Sequence, residues 1–301
     1  MSSITFETTR SQVDYFKLFM RFLYVVSFAF FAYCLYDGFQ FYLTDLQQRP
    51  HMAQYRTLRP AGFRGQGYGI LGTILMLLML SYTIRKRTPL LGKLGNLNRW
   101  LDFHIYCGIM GPLFIILHTT FKVNGIISIS FWSMIAVASS GIVGRYLYLQ
   151  IPRNRAGEEL SHKQIGDVER RFTIALGKRL DLSEAEVREM ELPGLSQNYE
   201  KRGPLRLLLS MMTQDLLGFF TRRKLRRHLA AVLPARGDDL TAAVEIAFQK
   251  IKLQRRTLFL NHIQRLFHYW HVFHKPFAII MYIIMALHIG VAIWLGYTWI
   301  F

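Results

Sequence analysis

The sequence predicts an all-α integral membrane protein, about five transmembrane helices in a bundle with a helical insert before the last. Three observations carry this. Half of the 301 residues are hydrophobic (51%), yet the net charge is +18. The apolar and basic residues fall in separate runs rather than interleaving, as membrane spans and basic loops require. Five apolar stretches each approach the roughly 20 residues that cross a bilayer.

The stretches cover about 18–44, 66–84, 99–121, 127–151 and 272–300. The polar lead "MSSITFETTRSQVDYFKLFM" and the long apolar run behind it predict a retained first span rather than a cleaved signal peptide. The second opens with "GYGILG" (67–72), which matches G-x-G-x-x-G. A dinucleotide site would need a strand before it and a soluble βαβ unit around it, so the motif reads as a helix start with small packing residues. Four spans therefore occupy 1–151, a basic insert 152–256, and the fifth span 257–301.

Basic loops orient the bundle. Between spans 2 and 3 stand Arg85, Lys86, Arg87, Lys93 and Arg99, against Lys122 alone between spans 3 and 4, and Arg153 and Arg155 follow span 4. This places the N-terminus and the insert in the cytoplasm, in a multi-pass protein of the cell (inner) membrane. Arg49, Arg56, Arg59 and Arg64, in the loop assigned to the other side, run against the rule.

The insert reads as helical. "SEAE" at 183–186 is a capping box, Pro193-Gly194 and Gly203-Pro204 break the chain, and the helix from about 240 runs on to a kink or membrane entry at Pro276. Residues 202–229 combine an apolar face with the basic "TRRKLRRH", the pattern of a helix on a membrane surface or of an ordinary amphipathic core helix, with docking of an acidic electron donor as the other use of the charge. Membrane lipid is the partner expected for that charge, and nucleic acid is excluded for want of a soluble fold with exposed aromatics. Cys34 and Cys107 sit in apolar runs without metal-ligand spacing and read as packing residues.

Histidines carry the chemistry. Span 3 has His104 and His118, and span 5 has His274 and His288, each pair fourteen residues apart. Fourteen positions fall about 40° short of four helical turns and rise roughly 21 Å, so each span shows two histidines on one face. Spans 3 and 5 run parallel, which sets His104 level with His274 and His118 level with His288. An imidazole pair at each level is the axial ligand set of an iron porphyrin, and two levels make two b-type haems. Gly108 and Gly111 lie on the ligand face of span 3, where small residues admit a flat macrocycle. Arg145 is a candidate propionate contact, because arginine matches carboxylates bidentately. His271 and His268 turn away from the ligand face; His271 is a candidate propionate contact and the alternative to His274 as ligand.

With these residues the membrane part, roughly 65–150 and 268–301, resembles the transmembrane di-haem core of the ferric reductase and NADPH oxidase superfamily. The resemblance implies that His104 and His274 ligate an inner haem, that His118 and His288 ligate an outer one, and that electrons pass between them. The flavin- and nicotinamide-binding domain usual in that superfamily does not follow span 5, and the insert is foreign to its pattern. The chain is thus expected to act as an electron-transfer subunit beside a redox partner subunit or soluble electron donor. Similar ligand spacing in quinone-linked b cytochromes keeps quinone as a further cofactor. The alternatives are a non-haem di-iron oxidase or desaturase and a haem-free transporter with proton-relaying histidines.

Overall fold

The computed structural model describes residues 14–89, 94–154, 158–190, 192, 204–232 and 238–297. Lys93, Arg155, Pro193, Gly194, Gly203 and the end of the C-terminal "GYTWIF" lie outside these. The described residues form α1 (Tyr15–Asp37), α2 (Phe39–Leu43), α3 (Tyr55–Leu58), α4 (Phe63–Arg87), α5 (Leu97–Thr119), α6 (Ile127–Gln150), α7 (His162–Leu180), α8 (Glu184–Glu189), α9 (Pro204–Leu216), α10 (Gly218–Val232), α11 (Asp238–Leu258) and α12 (Leu260–Trp294). No strand occurs among them, and α1, α4, α5, α6 and α12 are long and apolar enough to cross a membrane. The fold is therefore that of an all-α, multi-pass membrane protein. The chain divides into two units, Met1–Ile142 with Phe273–Phe301, and Val143–Val272.

In the first unit the expected span 18–44 is two helices. Asp14 caps α1 by accepting from the Lys17 amide, and the helix stops at Gly38, whose N–H returns to the Cys34 carbonyl. A β-carbon at Gly38 would lie 2.5 Å from the Tyr42 ring, so the bare glycine leaves room for that ring at the break. The helices α1, α4 and α5 bury Met20, Cys34, Tyr68, Met79, Tyr106, Cys107, Met110 and Phe114 together. Both cysteines are free thiols within this core. The Ser27 and Tyr106 hydroxyls bond at 2.5 Å across it.

Closest approach in this unit is between α4 and α5. At Gly72 a β-carbon would stand 2.9 Å from the Gly111 carbonyl, and at Gly111 it would stand 2.9 Å from Met76 Cγ. Small residues let membrane helices pack backbone to backbone, where dispersion replaces the missing hydrophobic drive. On the other side Tyr282 of α12 donates to the Met76 carbonyl (2.6 Å), and Ser130 of α6 donates to the Met281 carbonyl (3.1 Å). Met76, Met134 and Met281 are buried together where these helices meet.

Arg49 is the buried charge of this unit. Its guanidinium donates to the carbonyls of Thr44 (2.8 Å), Tyr42 (2.9 Å) and Thr120 (2.6 Å) and lies over the Phe41 ring. It thereby joins the ends of α2 and α5, where helices leave carbonyls without intrahelical partners. Thr120 and Phe121 both take positive φ (52° and 61°), the sharp exit that aims the Thr120 carbonyl at the arginine. Arg64 pairs with Asp37 at 2.5 Å. Two of the four arginines that resist the charge rule are thus engaged inside the fold.

The second unit is wider than the expected insert. Leu147 and Ile151, from the end of α6, and Leu260 and Ile263, from the start of α12, pack with Ile165, Leu207 and Met211. A second core joins α7, α8, α10 and α11 through Leu176, Val187, Leu225, Leu229 and Ala247. Ser183 and Glu186 form the capping box of α8, and Ser161 with Gln164 forms another at α7. The expected helix over 202–229 breaks at Leu217 into α9 and α10. The helix from 240 ends at Phe259, and Pro276 lies inside α12 without ending it. Apolar helices tolerate such a proline when neighbours re-satisfy the freed carbonyl.

A polar network fixes this unit. Asp215 accepts from Tyr146 (3.0 Å), Gln150 (2.7 Å) and Arg255, while Gln150 accepts from Arg256 (3.0 Å). Burial alone would raise the Asp215 carboxyl; Arg255 and the hydrogen bonds from Gln150 and Tyr146 outweigh it and hold the group below its ordinary value.

Candidate functional site

Both imidazoles of α5 are tied to the backbone of α4. His104 Nδ1 lies 3.0 Å from the Met79 carbonyl, and His118 Nδ1 lies 2.9 Å from the Gly65 carbonyl. A carbonyl can only accept, so each Nδ1 carries the proton and each Nε2 presents a lone pair. Metal-ligating histidines have this form, the far nitrogen held so that the near one points at the metal. The fourteen-residue spacing delivers both rings to one neighbour because α5 is continuous from Leu97 to Thr119.

His118 also meets α12. Its ring centre is 6.5 Å from that of His288, with the planes inclined at 59°. Two imidazoles on opposite sides of one metal, with metal–nitrogen bonds of about 2.0–2.1 Å and ring centres roughly 1.1 Å behind the nitrogens, have centres about 6.3 Å apart. His118 and His288 stand close to that separation.

The other two histidines are held by different helices. His104 rests against Tyr82 of α4, ring centres 5.3 Å apart. His274 Nδ1 lies 2.8 Å from Ser140 Oγ of α6. The Ser140 hydroxyl donates to the Val137 carbonyl (2.9 Å), so its oxygen accepts from His274, which again carries its proton on Nδ1.

Gly108 and Gly111, expected on the ligand face, both look towards α4. A β-carbon at Gly108 would meet Met79 Sδ at 3.2 Å and one at Gly111 would meet Met76, so both serve the α4–α5 contact. The physical reason is that the face bearing His104 and His118 is turned towards α4, whose carbonyls it uses. Gly69 spares room for the His118 ring, since a β-carbon there would lie 2.7 Å from its Nδ1. Gly69 belongs to "GYGILG", read from sequence as packing residues without a named neighbour. Arg49, through the Thr120 carbonyl, pins the end of α5 just beyond His118.

Arg145 and His271 fall in the second unit. The Arg145 guanidinium lies 5.7 Å from the centre of the Tyr148 ring. His271 Nδ1 donates to the Phe267 carbonyl (2.9 Å), and its ring stands 4.5 Å from both Phe267 and Trp270. Trp270 in turn fills the space beside Gly144, where a β-carbon would strike its ring at 2.2 Å. His271 thus carries its proton on Nδ1, as His104 and His118 do. Among the described residues no three His, Cys, Asp or Glu side chains gather as metal ligands, so a multi-ligand di-iron centre finds no ligand set there. Compared with protein-family models, curated proteins and solved structures, the chain matches none, and any assignment rests on the imidazole geometry.

Proposed function

We propose that the chain is a di-haem b-type cytochrome that carries electrons across the bilayer, with His118 and His288 as the axial ligands of one haem and His104 and His274 as those of the other. The observation that supports this most is the outer pair: ring centres 6.5 Å apart, and a His118 ring whose proton is committed to the far side. Bound haem supplies reversible one-electron chemistry. The chain's own part is to fix each tautomer, aim the lone pairs and exclude water. Fourteen residues of continuous α5 separate His104 from His118, a rise of roughly 21 Å, so the two levels span most of the hydrocarbon.

In this reading the N-terminus and the second unit face the cytoplasm, and the His104–His274 level is the cytoplasmic one. Electrons come from a partner subunit or soluble donor, and quinone is a candidate at either end. The test is a reduced-minus-oxidised spectrum of the purified chain. Two b-type haems per chain are expected, falling to one in His118→Ala or His288→Ala. His274→Ala is expected to lose a haem that His271→Ala keeps. Absence of a b-type α-band, or haem content unchanged in the His118→Ala/His288→Ala double variant, would sink the reading.

A further inference from the structure

The elbow between α9 and α10 carries a surface that electron transfer does not use. Leu209, Leu216, Leu217, Phe219 and Phe220 are all exposed there, Leu216 to 82% and Phe219 to 68%. Leu225 and Leu229 of α10 point the other way, into the core with Leu240 and Val244 of α11. Large apolar side chains left exposed in succession, as from Leu216 to Phe220, mark a candidate interaction site.

Charge follows directly on the apolar tip. At about 100° per residue, Arg223, Arg226 and Arg227 project on the same side of α10 as Phe219 and Phe220, with Lys224 at its margin. All four are exposed. None takes part in an ion pair among the described residues, whereas Arg222, on the inner side, pairs with Glu245 at 3.0 Å and lies over Phe248.

We propose that this elbow is a membrane-surface anchor: the leucines and phenylalanines enter the acyl boundary of a bilayer leaflet while Arg223, Lys224, Arg226 and Arg227 bind anionic lipid headgroups. An apolar tip with a basic flank is the composition of interfacial helices. The occupant is also the nearest one by chain connectivity, because the chain enters this unit from α6 and leaves it into α12, both long and apolar enough to span a bilayer. Tethering of that kind raises the effective concentration of the surface at its ligand. The inference is independent of the haem assignment.

The test uses the full chain reconstituted in phosphatidylcholine bilayers with and without phosphatidylglycerol. A polarity-sensitive fluorophore is placed on Phe220→Cys, or on Leu216→Cys if the first variant folds poorly; the native thiols Cys34 and Cys107 are buried. The expected result is quenching by a lipid-borne quencher, several-fold stronger with phosphatidylglycerol, with that difference lost in Arg223→Glu/Arg227→Glu. A probe equally water-exposed in both bilayers, as a docking face for a soluble acidic protein would leave it, overturns the proposal. Equal quenching in both bilayers overturns the headgroup assignment.

Discussion

The helices α5 and α12 carry the same pair of histidines at the same spacing and are built into the membrane unit in opposite ways. In the 18-residue apolar stretch of α5, 39% of the residues are buried, against 6% in that of α12. Each α5 imidazole is held by a main-chain carbonyl of α4, and the glycines between them close the α4–α5 contact. On α12, His274 depends on a serine hydroxyl, and His288 meets the ring of His118. The pair α4–α5 is thus a finished scaffold that orients its two imidazoles by itself. The C-terminal half of α12 joins it through polar contacts such as that of Tyr282 with the Met76 carbonyl and, on the proposed reading, through the cofactor between His118 and His288.

If that contrast holds, crowding the scaffold has the largest effect. Gly69→Val puts branched carbons where the His118 ring lies, an overpacking of about 1–3 kcal/mol with a lost hydrogen bond of about 1 kcal/mol besides. One haem equivalent and several degrees of melting temperature are expected to disappear. Unchanged haem content would show that α4 is not the wall behind His118.

Arg49→Ala comes next. It strips donors from three carbonyls and vacates a buried site, a loss of about 2–3 kcal/mol measurable as thermal unfolding in detergent. Arg49→Lys is expected to recover little, since one ammonium cannot reproduce the planar fork. A melting temperature equal to the parent's would mean that the end of α5 holds without its clamp.

Ser140→Ala is the smallest and the most discriminating, at about 1 kcal/mol for one neutral hydrogen bond. It frees the His274 ring and is expected to shift the midpoint potential of one haem and leave the other in place, while Ser140→Thr restores the parent value. Equal shifts in both haems would argue that α12 is as self-supporting as α5.

What the sequence revealed follows from how local each signal is. Apolar runs of span length are local, and all five appear as helices. The break at Gly38 escaped notice because Phe39–Leu43 continues the apolar run beyond it. The early start of α12 at Leu260 escaped because "LNHIQRLFHYWH" is amphipathic, and average hydropathy places the span later. The histidine registers were legible, being periodic within one helix. The partners of their Nδ1 atoms were not, since a carbonyl at position 65 or 79 leaves no mark in the side-chain code. Arg49 looked like a misplaced charge because its acceptor, Thr120, is 71 positions away.

The carbonyls that hold the α5 imidazoles bear on how the chain can drift over generations. A main-chain oxygen survives every codon change, so replacement of Met79 by another apolar residue of similar bulk alters packing without deleting the acceptor of His104. At position 65 the oxygen is as durable, but a β-carbon would meet the Arg59 carbonyl at 2.1 Å, and glycine stays. At position 140 the acceptor is itself a side chain, retained only by serine or threonine. Homologous chains are therefore expected to vary at 79, to hold glycine at 65, and to alternate between two hydroxyl residues at 140.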